Sequence, residues 1–253
     1  MSLVYYKALA ALIILASSLA AVIFPIKKHL SAKDAEPLEL GEAFASGIFL
    51  GVAFFHMLPA SIASFNRLLG QVHYPIAELI CVLGFITLLF LERLSLVAIK
   101  QHRAVTIPYI LATILIIHSL IEGMALGINA AAAQTFLIFI AIIAHKGSAS
   151  FALCVTLIRH KIPLRRILSI VCIFSLVTPV GIALGTTLDS LSYLFGGQLL
   201  EAIFNAFATG SFFYMATLHH VRFHQREDEG QGLWEFFFLV VGLATMGLVA
   251  IWA

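Results

Sequence analysis

The chain has 253 residues, of which 61% are hydrophobic and only 11% are Asp, Glu, Lys or Arg, and its formal net charge is +2. Soluble proteins devote about a quarter of their residues to charged side chains, so this composition excludes an ordinary soluble protein. The nearly balanced charge also gives no sign of nucleic-acid binding. We therefore predict an integral membrane protein.

Eight apolar runs are each long enough to cross a hydrocarbon core of about 30 Å as a helix, which takes about twenty residues. In chain order they are residues 5–24, 42–64, 75–98, 106–129, 135–158, 166–188, 198–221 and 232–252. The first run is too long for the apolar part of a signal peptide, and we interpret it as a retained span. No loop is long enough to fold alone, so we predict an all-α, single transmembrane domain over residues 1–253.

Cations are concentrated in the loops after the first, third, fifth and seventh spans. These loops contain Lys27, Lys28, Lys33, Lys100, Arg103, Arg159, Lys161, Arg165, Arg166, Arg222 and Arg226. The positive-inside rule places such loops in the cytoplasm, which puts both termini outside. We expect a multi-pass cell-membrane protein, and the short loops suit a bacterial inner membrane.

Ionisable side chains occur at the middle of the fourth and fifth spans. Of the 13 acidic residues only Glu122 is deep in a span; Glu42, at the inner end of the second span, is interpreted as an interfacial charge. His118 is central in the fourth span, and His145 and Lys146 are central in the fifth. Each charge at a helix centre costs roughly 2.5–3.5 kcal/mol, so these residues predict a functional or paired site inside the bundle.

The donor set at this depth fits a divalent cation. His118 and Glu122 are four residues apart and share one helix face, with Ser119 one turn before Glu122. If the fifth span presents His145 to that face, two imidazoles, a carboxylate and a hydroxyl can bind a cation such as Zn²⁺. No cysteine is expected to bind the metal. The three cysteines have no metal-ligand spacing and are interpreted as small packing residues; they are Cys81, Cys154 and Cys172.

Other interpretations of the same residues stay open. Glu122 and Lys146 can form a buried ion pair, with the histidines bonded to backbone. His118 and His145 can be axial ligands of a haem in a membrane redox protein. A zinc site beside a glutamate can also activate water in an intramembrane protease, although the chain lacks H-E-x-x-H.

Further histidines trace a path along the bundle. His56 lies in the outer part of the second span, and His219 and His220 lie at the cytoplasmic end of the seventh. Each of them is also explained as an interfacial or solvated histidine. Together with the central pair they predict accessory positions on a cation pathway.

Five strings, taken together, resemble the ZIP (Zrt/Irt-like) family of divalent metal transporters. The resemblance is to the branch whose fourth and fifth helices read H-S-x-x-E-G-x-A-x-G and H-K-G. The strings are HSLIEGMALG (118 to 127), HKGSASFAL (145 to 153), GIFLGVAFFHMLP (47 to 59), SLVTPVGIALG (175 to 185) and ATGSFFYMATL (208 to 218). They cover five of the eight spans in the right order.

The resemblance implies eight helices in a three-two-three arrangement with an inverted repeat, and cation uptake towards the cytoplasm. It implies that His118, Ser119, Glu122 and His145 bind the transported metal. Lys146 stands where members with two metals carry another ligand, and Ala149 where they carry a glutamate, so one central metal is implied.

Three positions depart from the family pattern. Ala60 replaces an acid that relatives carry after the outer histidine, so sensing through that acid is not expected. His219 replaces a glutamate at the inner exit. The histidine-rich loop of many relatives shrinks to residues 100–106, which removes regulation through that loop.

We therefore expect a zinc-uptake transporter that works by alternating access and is not an enzyme. No phosphate-binding loop G-x-x-x-x-G-K-[ST] is present, so no ATP site is expected. The expected partners are divalent metal ions, as substrate, and the lipid bilayer; no cofactor is expected, and a homodimer is allowed for.

Overall fold

The computed structural model describes residues 3–31, 36–70, 74–99, 106–128, 132–187, 195–219 and 229–251. Its regular structure within these ranges is entirely helical, which confirms the predicted all-α class. The α-helices are α1 (Leu3–Ser31), α2 (Glu36–Val52), α3 (Leu58–Leu69), α4 (Ile76–Ile99), α5 (Thr106–Ile128), α6 (Ala132–Arg159), α7 (Leu164–Thr187), α8 (Phe195–Tyr214) and α9 (Glu229–Val249).

The helices follow the eight predicted spans. The second span comprises α2, a π turn over Ala53–Met57 and α3, and the seventh comprises α8 and a π turn over Met215–His219. Seven segments in the described chain are long and apolar enough to cross a membrane. The remaining predicted span, the third, is formed by α4, which is 24 residues long and carries Glu78, Glu92 and Arg93. The chain is thus a multi-pass membrane protein, as predicted.

The π turn of the second span has a local cause in Pro59. Proline has no N–H to donate and its ring collides with the carbonyl one turn earlier, so an ordinary α-helix cannot continue through it undisturbed. The N–H of Leu58 donates instead to the carbonyl of Ala53, five residues back, which widens the turn. His56 lies on this turn.

The helix pairing has the symmetry of an inverted repeat. The closest pairs are α5 with α7, α2 with α9, α4 with α8, and α1 with α6. In span numbers these are 4–6, 2–8, 3–7 and 1–5. Exchanging spans 1 and 6, 2 and 7, 3 and 8, and 4 and 5 maps this set onto itself. In this exchange, each of the first three spans corresponds to the span five places later in the chain. Consecutive spans cross the membrane in opposite directions, so an odd shift means that the second triplet enters from the opposite side, as expected for a three-two-three bundle.

Glycines let three of these pairs touch backbone to backbone. A Cβ on Gly123 or Gly127 would overlap a carbonyl oxygen of α7, and one on Gly181 or Gly185 would overlap a carbonyl oxygen of α5. The equivalent glycines of the α2–α9 and α4–α8 pairs are Gly47, Gly242, Gly84 and Gly210. Small residues allow such close approach where apolar burial does not drive helices together.

The pairing divides the bundle into two groups. We call α1, α5, α6 and α7 the site-bearing helices; a buried hydroxyl cluster also joins three of them, since Ser18 lies 2.5 Å from Ser150 and 2.8 Å from Ser175 between Oγ atoms. We call α2, α3, α4, α8 and α9 the framework helices. The main contact between the groups is α2 against α6.

The seam between α2 and α6 depends on side chains. Gly41 faces the ring of Phe151, and Glu42 accepts a hydrogen bond from the guanidinium of Arg159. Glu42, interpreted from the sequence as an interfacial charge, is paired with Arg159 near the end of α6, and its side chain is only 11% exposed. The packing interpretation holds for Cys81 and Cys154, which are buried, but not for Cys172, which is on the outer face of α7.

We expect Gly185→Val to destabilise the protein, because the added side chain forces α5 and α7 apart; overpacking typically costs about 1–3 kcal/mol. Gly232→Val is the matched control, since a Cβ there meets nothing within 4 Å. Thermal unfolding of the detergent-solubilised variants measures the difference. Equal unfolding temperatures would contradict the backbone contact.

Candidate metal centre

Three side chains predicted from the sequence meet between α5 and α6. Nε2 of His118 lies 3.0 Å from Oε1 of Glu122, and Nε2 of His145 lies 2.9 Å from the same oxygen. One ligand atom from each residue falls within 4.8 Å of the other two. The spacing of four residues puts His118 and Glu122 on one face of α5, and α6 supplies His145 to that face.

The cluster is deep in the protein. His118 is 3% exposed and His145 is 2% exposed, and both stand near the middle of their helices. The Glu122 side chain is 11% exposed. Ionisable groups so far from water must be satisfied by one another or by a cation.

A backbone hydrogen bond fixes the orientation of His145. Its Nδ1 lies 2.7 Å from the carbonyl oxygen of Ala141, which can only accept, so Nδ1 carries the proton. Nε2 is then the ring nitrogen directed at Glu122, and in the neutral imidazole it is the one that can bind a cation. An imidazole nitrogen and a carboxylate oxygen only 2.9 Å apart are held together by a shared proton or by a bound cation.

Polar atoms in the cluster lack hydrogen-bond partners within the described residues. They are Nδ1 and Nε2 of His118, Oε2 of Glu122 and Nε2 of His145. Buried polar groups are nearly always bonded, so atoms of this kind need an explanation. The donor chemistry, imidazole nitrogen and carboxylate oxygen, is that of a borderline divalent cation.

Lys146 is buried beside the cluster but is bonded elsewhere. Its Nζ donates to Oγ of Ser119 at 2.8 Å and to the carbonyl of Phe174 at 3.3 Å, and it lies 3.6 Å from the centre of the Phe174 ring. Glu122 instead contacts the two imidazoles. The alternative of a direct Glu122–Lys146 ion pair therefore does not describe this structure, and Ser119 is the acceptor for Lys146.

The predicted path residues are only partly described. His56 is half-buried on the first π turn and within electrostatic range of His118, Glu122 and His145. For His219 the structure describes the backbone, at the end of the second π turn. His220 lies outside the described residues. The inner histidines therefore stay a prediction.

Sequence reasoning missed three contacts between different spans. Phe212, on α8, packs edge to face on His118 with ring centres 5.1 Å apart. Nζ of Lys7 donates to the carbonyl of Gly127 at 2.5 Å and so caps the C-terminal end of α5. The third is the Glu42–Arg159 pair. All of them join residues distant in the chain, so no local spacing could reveal them.

Comparison with known proteins decides the family. The family described as ZIP Zinc transporter matches residues 4–106 and 98–250, nearly the whole chain. The chain belongs to the ZIP zinc transporter family. This membership confirms the resemblance at the level of the family, and it confirms the prediction of a transporter, not an enzyme.

Three zinc transporters align with this chain over most of their length. Zinc transporter ZIP1 of Takifugu rubripes is 28% identical over 84% of this chain and 84% of its own. Zinc transporter 1 of Oryza sativa subsp. japonica is 27% identical over 85% of this chain and 75% of its own. Zinc transporter ZIP1 of Homo sapiens is 25% identical over 85% and 79%, respectively.

We expect Ser119→Ala to lower the free energy of unfolding by about 1–3 kcal/mol, because the buried ammonium of Lys146 loses an acceptor. Ser119→Thr keeps a hydroxyl and should lose less. Ser61→Ala is the control, since that hydroxyl is buried but donates only to the carbonyl of Met57 in its own span. A Ser119→Ala protein as stable as Ser61→Ala would show that the bond has no energetic role.

Proposed function

We propose that this ZIP protein takes up divalent cations, Zn²⁺ first among them, and binds each ion at the middle of the membrane through His118, Glu122 and His145. The observation that carries the proposal is the convergence of Nε2 of His145, Nε2 of His118 and the Glu122 carboxylate in a buried position. The zinc transporters among its relatives support the choice of metal.

The spacing of the donor atoms suits a small ion. Zinc bonds to imidazole nitrogen and carboxylate oxygen are about 2.0–2.2 Å long, and a tetrahedral site then separates neighbouring ligand atoms by about 3.3 Å. The separations of 2.9 and 3.0 Å fall a few tenths of an ångström short of this. Zinc would need only slight opening of the cluster. Ser119 supplies a fourth ligand with the lone pair that Lys146 does not use.

We assign the chain to the branch with H-S-x-x-E-G-x-A-x-G and H-K-G helices, and to a site for one metal. Lys146 keeps a positive charge next to Glu122, which repels a second cation. Ala149, buried on α6, offers no ligand. This donor set also binds Fe²⁺, Mn²⁺, Co²⁺ and Cd²⁺, so uptake experiments with competing cations are needed to rank the preference for each ion.

Transport follows as alternating access. The cation enters past His56, is bound at the cluster, and leaves past His219 and His220 after the site-bearing helices shift against the framework helices. The backbone contact between α5 and α7 makes these two helices move together, so the moving unit is larger than α5 and α6 alone. With cytoplasmic cationic loops and both termini outside, this direction is uptake.

The haem alternative requires iron and porphyrin between His118 and His145. The carboxylate of Glu122 lies there, within 3.0 Å of both Nε2 atoms. An absorbance scan of the purified protein should therefore be blank in the Soret region. An intense Soret band would overturn the transporter site in favour of haem.

His118→Ala, His145→Ala and Glu122→Gln should each reduce zinc uptake into proteoliposomes to near background, because each removes one ligand of the central ion. His160→Ala is the matched control. His160 directly follows α6, and its Nδ1 bonds the Thr156 carbonyl at the helix end, away from the cluster. Wild-type uptake in a His118→Ala/His145→Ala protein would remove the site assignment.

Cross-linking tests the shift of the two helix groups. In a background with Cys81, Cys154 and Cys172 replaced by Ala, Glu42→Cys/Arg159→Cys joins the groups across the seam. We expect a short reagent that bridges the two thiols through disulfides to stop zinc uptake. Reduction of the disulfides should restore uptake.

The control pair lies within the site-bearing helices. Tyr109 and Arg166 contact each other at 3.3 Å between α5 and α7. The same reagent on Tyr109→Cys/Arg166→Cys should leave uptake unchanged. Full uptake by a completely cross-linked seam pair would contradict a relative movement of the groups.

A further inference from the structure

The two histidines of the cluster are held in different ways. Nδ1 of His145 is fixed by the Ala141 carbonyl, whereas Nδ1 of His118 has no hydrogen-bond partner in the described part of the chain. Metal-binding histidines normally use the second ring nitrogen for an orienting hydrogen bond. Something else must therefore set the direction of Nε2 of His118.

Phe212 is the ring that lies against His118. The ring centres are 5.1 Å apart and the planes are inclined by 69°, an edge-to-face geometry within the favoured range of about 4.5–7 Å. Phe212 is fully buried. The Phe212 ring also packs on Phe49 of α2, again edge to face, with centres 5.1 Å apart. Phe212 is thus buried and contacts two rings, which restricts its movement.

We propose that Phe212 is a positioning residue of the metal site: by packing on the imidazole of His118 it keeps Nε2 pointed at the ion. The inference rests on the proposed function, since it concerns the same site. Rotation of the imidazole about its bond to Cβ would exchange Nε2 for a ring carbon and remove a ligand. Packing against Phe212 opposes that rotation where no hydrogen bond does.

The position of Phe212 has a consequence for transport. Phe212 and Phe49 are on framework helices, while His118 is on a site-bearing helix. A shift of the two groups separates Phe212 from His118, frees the imidazole to rotate and loosens the ion. Tight binding of the ion is then confined to the arrangement in which the Phe212 and His118 rings are in contact.

The test uses Co²⁺ as a spectroscopic probe on the purified, detergent-solubilised full chain. Phe212→Leu and Phe212→Met keep an apolar side chain but remove the aromatic ring. Each should weaken Co²⁺ binding about tenfold, as losses of orienting contacts do, and change the visible d–d absorption of the bound ion. Phe212→Tyr retains the ring and should restore both properties.

Phe213→Leu is the matched control. Phe213 is the next residue of α8 and also makes an edge-to-face pair, with Phe54 at 4.5 Å, but it does not touch the cluster. The proposal is overturned if the folded Phe212→Leu or Phe212→Met protein has the Co²⁺ affinity and spectrum of Phe213→Leu. If Phe212→Leu and Phe213→Leu lose Co²⁺ affinity equally, the cause is a general packing defect. That result would also contradict the proposal.

His118→Ala separates this proposal from the proposed function. If His118→Ala binds Co²⁺ as the wild type does, His118 is not a ligand and both proposals fall. If His118→Ala loses binding while the Phe212 variants keep it, the site stands and only the role of Phe212 is lost.

Discussion

A carboxylate in the middle of a hydrocarbon layer is unfavourable unless positive charge or hydrogen-bond donors surround it, and Glu122 imposes this constraint on the bundle. The described structure answers it with two imidazoles, at 3.0 and 2.9 Å, and Lys146 follows His145 on α6. Because Lys146 is bonded to Ser119 and Phe174, it compensates Glu122 through space and leaves the carboxylate oxygens facing the histidines. A divalent ion that binds between the carboxylate and the imidazoles therefore breaks no hydrogen bond of Lys146.

Rigid helix pairs keep these groups in place. The glycine contacts between α5 and α7 and the hydroxyl cluster of α1, α6 and α7 join the site-bearing helices to one another. Towards the framework helices the contacts are made by side chains, above all Phe151 on Gly41 and Arg159 on Glu42. Arg159 is 14 residues from His145 along α6, or about 21 Å. The Glu42–Arg159 pair of the seam therefore lies at one end of the bundle and the histidine cluster at its centre, so the proposed shift of the helix groups can change access to the cluster.

Local patterns predicted the parts of this arrangement that depend on one helix at a time. Apolar run length located the spans, and the spacing of His118 and Glu122 predicted their shared face. Equal depth made His145 a candidate third member, because helices of similar length in one bilayer align their centres, but the structure shows that α6 turns it towards Glu122. The sequence could not predict Glu42 with Arg159, Lys7 with Gly127, or Phe212 with His118. Each pair joins different spans, and its formation depends on helix rotation, for which periodicity is weak when almost every residue is apolar. The same difficulty explains the wrong interpretation of Cys172.

X-ray absorption at the zinc K edge, on purified protein loaded with Zn²⁺, tests the central assignment most directly. One ion per chain, with only nitrogen and oxygen ligands and the multiple-scattering pattern of two imidazoles, is the predicted result. Two ions per chain, a sulfur ligand, or a shell without imidazole would contradict a single site built from His118, Glu122 and His145.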